Sequence, residues 1–186
     1  MAKLIYVANV SLDGYIEDAN GSFEWTAPSD EVFTFITDVV RPVGTYLYGR
    51  RLYETMAVWE ADPSLADQSA LTADFANVWQ AAHKVVYSTT MPIVSTTTTR
   101  LERRFEPDSV REIKASAASD LTVGGSTLAA HAFNARLVDE CQLFIYPVLV
   151  GGGKPAFSSD VRLRLDLLEE HRFGNGVVHL RYRTQS

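Results

Sequence analysis

The stretch Asp120-Leu121-Thr122-Val123-Gly124-Gly125-Ser126-Thr127-Leu128 decides how the rest of the chain is interpreted. It is typical of a short strand, a corner of two glycines, and a helix that continues to residue 135. Residues without side chains let a phosphate approach the backbone, and the free N–H groups at the positive end of a helix can bind it. Paired glycines also form ordinary strand-to-helix turns, so this corner alone leaves both interpretations open.

A second predicted strand, residues 45–48, is also followed by residues that could bind a phosphate. Gly49 follows it and is followed in turn by Arg50 and Arg51. Glycine allows close backbone approach, and the planar guanidinium groups match phosphate oxygens. Two neighbouring arginines are also common on solvated surfaces, so their meaning depends on other phosphate elements nearby.

A third predicted strand, residues 84–87, ends at Ser88-Thr89-Thr90. These hydroxyls can bind a phosphate or cap a turn. The carboxyl ends of parallel strands meet at one edge of a sheet, where ligands bind. The three strand ends together therefore predict a dinucleotide cleft.

The remaining chain alternates further elements. We expect an interior strand over 3–10 and a helix that starts after Pro28, with Ser29 as its cap. A longer helix is expected over 65–82, and an apolar strand over 143–150 in which Pro147 indicates a bulge or a sheet edge. A closing hairpin is predicted from 167–173 and 177–183. We find no repeat or change in composition that would divide residues 1–186 into more than one domain.

Composition limits the classes of function. The chain is 46% apolar and 22% charged, which is ordinary for a soluble globular protein, and it has no run of about 20 apolar residues that could cross a membrane. A net charge of −6 disfavours a nucleic-acid partner. Cys141 is the single cysteine, which favours a reducing, cytoplasmic location.

Several catalytic patterns are absent from the sequence. The four histidines are scattered without metal-ligand spacing, and neither G-x-S-x-G nor a Rossmann G-x-G-x-x-G follows a predicted strand. Among the acids, Asp13 is the best candidate for a catalytic role, because it lies on a loop that leaves the first strand. A turn-stabilising role for Asp13 is equally consistent with its position.

Six motifs, in this order, resemble the dihydrofolate reductase-like family, and within it the group related to the reductase domain of bacterial riboflavin biosynthesis. They are Ser-Leu-Asp-Gly-Tyr-Ile at 11–16 with Trp25, Tyr-Gly-Arg-Arg-Leu-Tyr-Glu at 48–54, Ser-Thr-Thr at 88–90, Val-Gly-Gly-Ser-Thr-Leu at 123–128, Leu-Val-Asp-Glu at 137–140, and Pro-Val-Leu-Val-Gly-Gly-Gly-Lys-Pro-Ala-Phe at 147–157. The resemblance covers nearly the whole chain, and its last motif is the most specific.

This resemblance implies an α/β fold with three α/β/α layers, a mixed and mostly parallel central sheet, and a C-terminal β-hairpin. It also implies NADPH as the cofactor, a small-molecule substrate and a homodimer. The cofactor-binding residues that it implies are Ala8, Ile16, Gly49, Arg50, Arg51, Ser88, Thr89, Gly124, Gly125, Ser126, Thr127 and Leu128. Phe23 and Trp25 would form walls for the substrate, Asp13 would position it or supply a proton, and the Gly124–Gly125 bond is expected to be cis.

The sequence also departs from the family. Folate reductases carry an acidic residue in the first helix, and Phe33 stands there in this chain, with Asp30 and Glu31 one turn earlier. This departure argues against folate itself as the substrate. We expect a reductase that passes a hydride to a small planar heterocycle, pterin-like or pyrimidine-like. The alternatives are reduction of the ribosylaminopyrimidinone phosphate of riboflavin synthesis and a non-catalytic NADPH-binding or sensing protein.

Overall fold

The computed structural model describes residues 1–185 of the 186-residue chain. Its strands are β1 (Leu4–Ser11), β2 (Tyr15–Glu17), β3 (Val43–Gly49), β4 (His83–Tyr87), β5 (Thr99–Glu102), β6 (Asp120–Gly124), β7 (Glu140–Tyr146), β8 (Lys154–Pro155), β9 (Leu165–Arg172) and β10 (Val178–Thr184). Its α-helices are α1 (Asp30–Val40), α2 (Arg50–Met56), α3 (Val58–Ala61), α4 (Pro63–Ala66), α5 (Ala70–Ala81), α6 (Pro107–Ser116) and α7 (Ser126–Asn134). A single 3₁₀ turn spans Glu24–Thr26.

Eight of the strands form one sheet in the order β5-β4-β3-β6-β1-β7-β10-β9. The pairs from β5 to β7 are parallel, and β10 pairs antiparallel with both β7 and β9. The mixed, mostly parallel sheet and the C-terminal hairpin predicted from the sequence are confirmed. Strands β2 and β8 form a separate two-stranded sheet.

Alternation along the strands builds a core on each face of the large sheet. Tyr6 and Val123 pack with Leu128 and Phe133 of α7 on one face. On the other face, strand residues such as Val86 pack with the helices α1, α2 and α5. Because successive strand side chains point to opposite faces, both faces of these interior strands must be apolar and covered, which gives three layers.

The helix predicted over 65–82 is in fact two helices. Asp62 caps α4, and Ser69 then caps α5 by accepting a hydrogen bond from Thr72 N at 3.1 Å. The Thr72 hydroxyl in turn accepts from Ser69 N at 3.0 Å, which completes a capping box. The apolar periodicity continues across the break, but these polar caps stop the first helix and start the second.

Of the two alternatives at Pro147, a bulge or a sheet edge, the edge is wrong. The strand ends at Tyr146, before Pro147, and it lies between β1 and β10. The second arm of the C-terminal hairpin supplies the partner that the local pattern could not identify. The edges of the sheet are β5 and β9.

The central strands separate near the glycine corner. Strand β1 pairs with β6 only from Leu4 to Tyr6, whereas it pairs with β7 as far as Ser11. Beyond Tyr6, the β1 edge that faces β6 has no strand partner among residues 1–185. This separation opens a gap in the sheet directly beside Gly125 and the start of α7.

None of the helices in residues 1–185 is both long enough and apolar enough to span a membrane.

Candidate active site

The three strand ends singled out in the sequence meet around one cavity of about 650 Å³. We call it the basic cavity, because five cationic side chains and, among the described residues, no carboxylate line it. The cations are Arg50, Arg51, Arg103, Arg104 and Lys154. The expected site residues that line it are Gly49, Arg50, Arg51, Ser88, Thr89, Gly125, Thr127 and Leu128. In a chain of net charge −6, this concentration of positive charge produces a local potential that would attract an anion.

Gly125 forms the corner at which β6 becomes α7. Its φ is +87°, a conformation that side chains disfavour, and a Cβ built there meets nothing within 4 Å. The residue is therefore required by its backbone angle, and the space beside it is open to a ligand. It directly precedes the nine-residue helix α7, whose first N–H groups lack partners within the helix.

Gly124 has a different role. A Cβ built at Gly124 would overlap Cδ2 of Leu52, so the glycine allows α2 to pack against the strand end. The cis Gly124–Gly125 bond expected from the resemblance is wrong, since no cis peptide bond occurs in residues 1–185. The turn at the corner comes instead from the positive φ of Gly125. Ser126 is buried and lines neither main cavity; with Thr127 and Lys154 it lines a separate groove.

The two arginines after β3 are held from the side. Arg50 donates from Nε to Glu54 at 2.8 Å and from Nη1 to the Thr90 hydroxyl at 3.0 Å. Arg51 lies 3.6 Å from the carboxylate of Glu17, on the far side of the cleft. These contacts keep both guanidinium groups at the cavity while leaving N–H donors free for a ligand.

Ser88 and Thr89 have different roles in the Ser88-Thr89-Thr90 segment. The buried Ser88 hydroxyl accepts hydrogen bonds from Met91 N at 3.0 Å and Thr90 N at 3.3 Å, so it caps a turn. Arg103 donates to the carbonyl oxygen of Met91 at 2.6 Å and fixes the same turn from outside. Thr89 is exposed at the basic cavity, where its hydroxyl and N–H are available to a ligand.

A second cavity of about 320 Å³ lies beside the gap between β1 and β6. We call it the apolar cavity, because most of its lining side chains are apolar. They include Val7, Ala8, Ile16, Phe23, Ile36, Leu52, Met56 and Phe144. Arg51, Leu52, Gly125 and Lys154 line both cavities, so the two are parts of one continuous cleft. Ala8, Ile16 and Phe23, all expected site residues, lie in its apolar part.

Trp25 and Asp13 lie outside both cavities. Trp25 packs edge-on against Tyr146, with ring centroids 6.0 Å apart. Asp13 lies on the loop between β1 and β2, and its carboxylate accepts from the Ser11 hydroxyl at 2.6 Å. That bond, assisted by the N–H groups of Gly151 and Val150, lowers the pKa of Asp13 below its ordinary value.

The sequence did not single out Lys154 as a site residue. In the structure it is paired with Glu17 in the small β2–β8 sheet, and it lines the basic cavity, the apolar cavity and the groove beside Ser126. A Cβ built at Gly153 would overlap the carbonyl oxygen of Glu17, so only glycine lets β8 approach β2 this closely. The signal for Lys154 was the Gly-Gly-Gly-Lys run, whose partner strand could not be identified.

Three further groups at the basic cavity, Arg103, Arg104 and His131, were not anticipated. Arg104 lines it beside Arg103, and both follow β5, which has only weak strand character in the sequence. His131 of α7 stacks on Phe105 with ring centroids 6.0 Å apart. The positions of Arg103, Arg104 and Phe105 depend on β5 pairing with β4, a contact that the local sequence pattern does not encode.

Another cavity, of about 520 Å³, lies at the opposite edge of the sheet, near the beginnings of β1 and β7. Its central group is Glu140, which accepts from Lys3 at 2.6 Å and from Arg181 at 2.8 Å. Burial would raise the pKa of Glu140, but the bonds from Arg181 and Lys3 outweigh it and hold the pKa below the ordinary value. These paired charges join the N-terminus to β10, and the cavity is remote from the glycine corner.

Comparison with known proteins agrees with this fold. The uncharacterized protein YyaP of Bacillus subtilis is 29% identical over 189 residues, which cover 97% of this chain and 94% of that protein. A Shewanella sp. PV-4 protein whose name assigns it to riboflavin biosynthesis has a TM-score of 0.79 at 22% identity, over all of both chains. Dihydrofolate reductase from Enterococcus faecalis, in complex with NADP(H), has a TM-score of 0.65 at 10% identity, covering 99% of this chain and 97% of the other.

The two structural similarities establish the fold. A match to a family model confirms the resemblance inferred from the sequence. The sequence profile of the RibD C-terminal domain matches residues 2–179, from before β1 into β10. Family and fold together support a reductase of the RibD and dihydrofolate reductase type. The chain therefore belongs to the RibD C-terminal domain family.

Proposed function

We propose that this protein is an NADPH-dependent reductase that passes a hydride to a small planar heterocyclic substrate. One observation carries the proposal. A cavity lined by five cations and a mostly apolar cavity join through Gly125 and Arg51 at the carboxyl edge of the sheet. This arrangement suits a ligand with phosphates at one end and a flat ring at the other.

The residues present fit NADPH. Arg50, Arg51 and Thr89 would bind the phosphates at the basic end, and the N–H groups of residues 125–128 would bind the pyrophosphate at the start of α7. Gly49 and Gly125 carry no side chain into the space between them. When bound, NADPH supplies the hydride. The dihydrofolate reductase relative was solved with NADP(H) on the same fold.

The gap between β1 and β6 suits the nicotinamide end. Among residues 1–185, the β1 backbone around Ala8 has no partner from β6, so its polar groups are available to a carboxamide. Ile16 lies across from it on β2 and would provide a second contact. This chain would thus hold the ring against the apolar cavity and exclude water from it.

The substrate would occupy the apolar cavity. Phe23 would form its outer wall, and Trp25 would support that wall from behind through Tyr146. We propose that Asp13 positions this region by holding the loop between β1 and β2 against the loop after β7. Tyr6 also lines the cavity, but burial raises its pKa far above the ordinary value, so its hydroxyl stays protonated.

Titration of the protein with NADPH, followed by nicotinamide fluorescence, tests this proposal. We expect saturable binding in the micromolar range that weakens as ionic strength rises, because the basic cavity acts through charge. NADPH oxidation at 340 nm is then measured with a panel of pterins, pyrimidines and quinones. The absence of saturable binding below millimolar NADPH would rule out the proposed function.

A second candidate is reduction of the ribosylaminopyrimidinone phosphate of riboflavin synthesis. Membership in the RibD C-terminal domain family and the name of the Shewanella relative favour it. Supplying that compound and following NADPH absorbance tests it directly, and turnover at the background rate excludes this substrate. A non-catalytic NADPH sensor is less well supported, because the apolar cavity of about 320 Å³ leaves room for a substrate.

We further propose a cytoplasmic homodimer in which residues 1–186 fold as one domain. The edge strand β9 has no partner on its outer side among the described residues, and it exposes Leu165, Leu167 and Leu168 by 37%, 52% and 41%. An exposed edge with apolar side chains is normally covered by another chain. The single cysteine, Cys141, is buried and free, as a cytoplasmic protein tolerates.

A further inference from the structure

Asn9 is an unusual residue for its place in the fold. It lies in β1, near the middle of the sheet, opposite Phe144 of β7. Asparagine is depleted in strands, and a half-buried interior position normally carries a β-branched or aromatic side chain. Asn9 lines the apolar cavity. A residue that breaks a local rule inside a binding cavity is a candidate for a functional role.

The other neutral polar side chains of the apolar cavity already have protein partners. The Tyr6 hydroxyl donates to the carbonyl oxygen of Ala156 at 2.7 Å. The Thr26 hydroxyl donates to the carbonyl oxygen of Phe23 at 2.7 Å, and the Thr55 hydroxyl to that of Arg51 at 3.0 Å. Within residues 1–185, Asn9 alone of these has no side-chain hydrogen bond to the protein.

The alternation of side chains along β1 indicates the face of the sheet to which the Asn9 side chain points. Tyr6 and Ala8 pack with the α7 face of the sheet, where the glycine corner begins. Val7 packs with Phe144 and Ile36 on the α1 face. Asn9 is two residues from Val7 and therefore points to the same face. Its amide lies on the substrate side of the proposed cleft, away from the corner that would hold the cofactor phosphates.

We propose that Asn9 recognises a lactam edge of the substrate, in which a ring N–H lies beside a ring C=O. The primary amide has a donor and an acceptor in one plane, and both can pair with such an edge. A binding site with a small number of placed polar groups in an apolar lining fixes orientation in this way. This inference rests on the proposed reductase function and narrows its substrates to lactam heterocycles, against quinones and N-alkylated rings.

The test uses the NADP⁺-loaded protein and three flat probes. They are lumazine, which has two ring N–H donors that each lie beside a ring C=O, 1,3-dimethyllumazine, which has lost both donors, and 1,4-naphthoquinone, which has no N–H. We expect the wild-type protein to bind lumazine about tenfold more tightly than the dimethyl compound or the quinone, the usual effect of losing one paired hydrogen bond. Equal affinities for lumazine and its dimethyl derivative, or no probe binding to the loaded protein, would overturn the inference.

Variants of Asn9 test whether this residue causes the preference for lumazine over its dimethyl derivative. Asn9→Leu should reduce lumazine affinity about tenfold and leave the dimethyl compound unchanged, which brings their ratio close to one. Asn9→Ala repeats the test with a smaller side chain. Thr55→Val is the matched control, since its hydroxyl is already bonded within α2, and it should keep the wild-type ratio.

Measuring NADPH binding to each variant distinguishes a failure of the proposed function from a failure of the role assigned to Asn9. If the wild-type protein does not bind NADPH, the proposed function fails. If NADPH binds but Asn9→Leu leaves the lumazine ratio intact, the inference about Asn9 fails while the proposed function stands. If Asn9→Leu weakens NADPH and not lumazine, the amide serves the cofactor carboxamide, and the substrate assignment is overturned.

Discussion

The carboxylate of Asp13 accepts a hydrogen bond from the backbone N–H of Gly151 at 2.8 Å, and this contact joins two loops that are 138 residues apart. The first loop leads into β2, which carries Ile16 and Glu17, and the second leads into β8, which carries Lys154. Strands β2 and β8 pair with each other beside the cleft. Asp13 thus holds one wall of the cleft from outside.

Asp13→Asn tests whether this residue positions the wall or supplies a proton. Weaker acceptance from Val150 and Gly151 should loosen β2 and β8, so the KM for a heterocyclic substrate should rise severalfold while the pH profile of kcat stays unchanged. Steady-state kinetics between pH 5 and 9 measures both. Asp18→Asn is the control, because Asp18 caps a turn outside the cleft. Loss of an acidic group from the kcat profile would instead make Asp13 the proton source.

Gly125→Ala should weaken both stability and NADPH binding. The φ of +87° costs a residue with a side chain about 1–2 kcal/mol, and relief of that strain would turn the first N–H groups of α7 away from the cleft. Thermal unfolding and NADPH titration give the two effects. Gly21→Ala is a matched control, since Gly21 has a φ of +79° with open space around it, in a turn that lines neither cavity. Equal NADPH affinity in both variants would contradict the role given to the corner.

Arg50→Gln should lower NADPH affinity about tenfold, the usual value of one charge-assisted contact to phosphate, and should make binding less sensitive to salt. Fluorescence titration at two ionic strengths measures both changes. Arg111→Gln removes the same charge from α6, where Arg111 is paired with Asp108 and lines neither cavity, so it should change nothing. A tenfold loss in both variants would mean that net charge alone drives binding.

The burial of His179 should make the free energy of unfolding depend on pH. Its ring is buried between Phe35 and Phe144, its Nε2 lies 3.0 Å from Gln142 Oε1, and its Nδ1 has no partner in residues 1–185. Burial lowers the pKa of His179 from its ordinary value of 6.5 to about 4. Between pH 6.5 and 4, His179 is therefore mostly protonated in the unfolded chain and mostly neutral in the folded chain.

The stabilisation is complete above pH 6.5 and should fall by about 3 kcal/mol as the pH falls from 6.5 to 4. Urea unfolding at intervals across that range measures it. His179→Phe should flatten the curve, whereas replacement of the exposed His171 by asparagine should leave it in place. An unchanged pH dependence in His179→Phe would assign the effect to other groups.

Leu167→Lys tests the proposed dimer. Leu167 is 52% exposed on β9, and a charge on this edge should prevent association without disturbing the monomer. Light scattering should give twice the chain mass of 20.6 kDa for the wild-type protein and the single chain mass for the variant. Val58→Lys, at another exposed apolar position on α3, is the control. A monomeric wild-type protein would exclude the homodimer.

The sequence by itself determined the strands that end at Gly49, Tyr87 and Gly124, the cap at Ser29 and the closing hairpin. These follow from signals that lie within a few residues of one another, namely alternation, periodicity, caps and glycine turns. The prediction that the three strand ends share one edge also held, because parallel strands place their carboxyl ends together.

Only the tertiary structure decided which distant segments cover one another. Whether β7 was interior depended on its pairing with β10. Whether Lys154 reached the cleft beside Glu17, and whether Trp25 lined the cavity or packed on Tyr146, depended on contacts across more than 100 residues of chain. Such pairings are selected by how all the apolar faces are buried together, which no local pattern contains. For the same reason Asn9 was inconspicuous in the sequence, and its unpartnered amide became visible only when the surrounding side chains were in place.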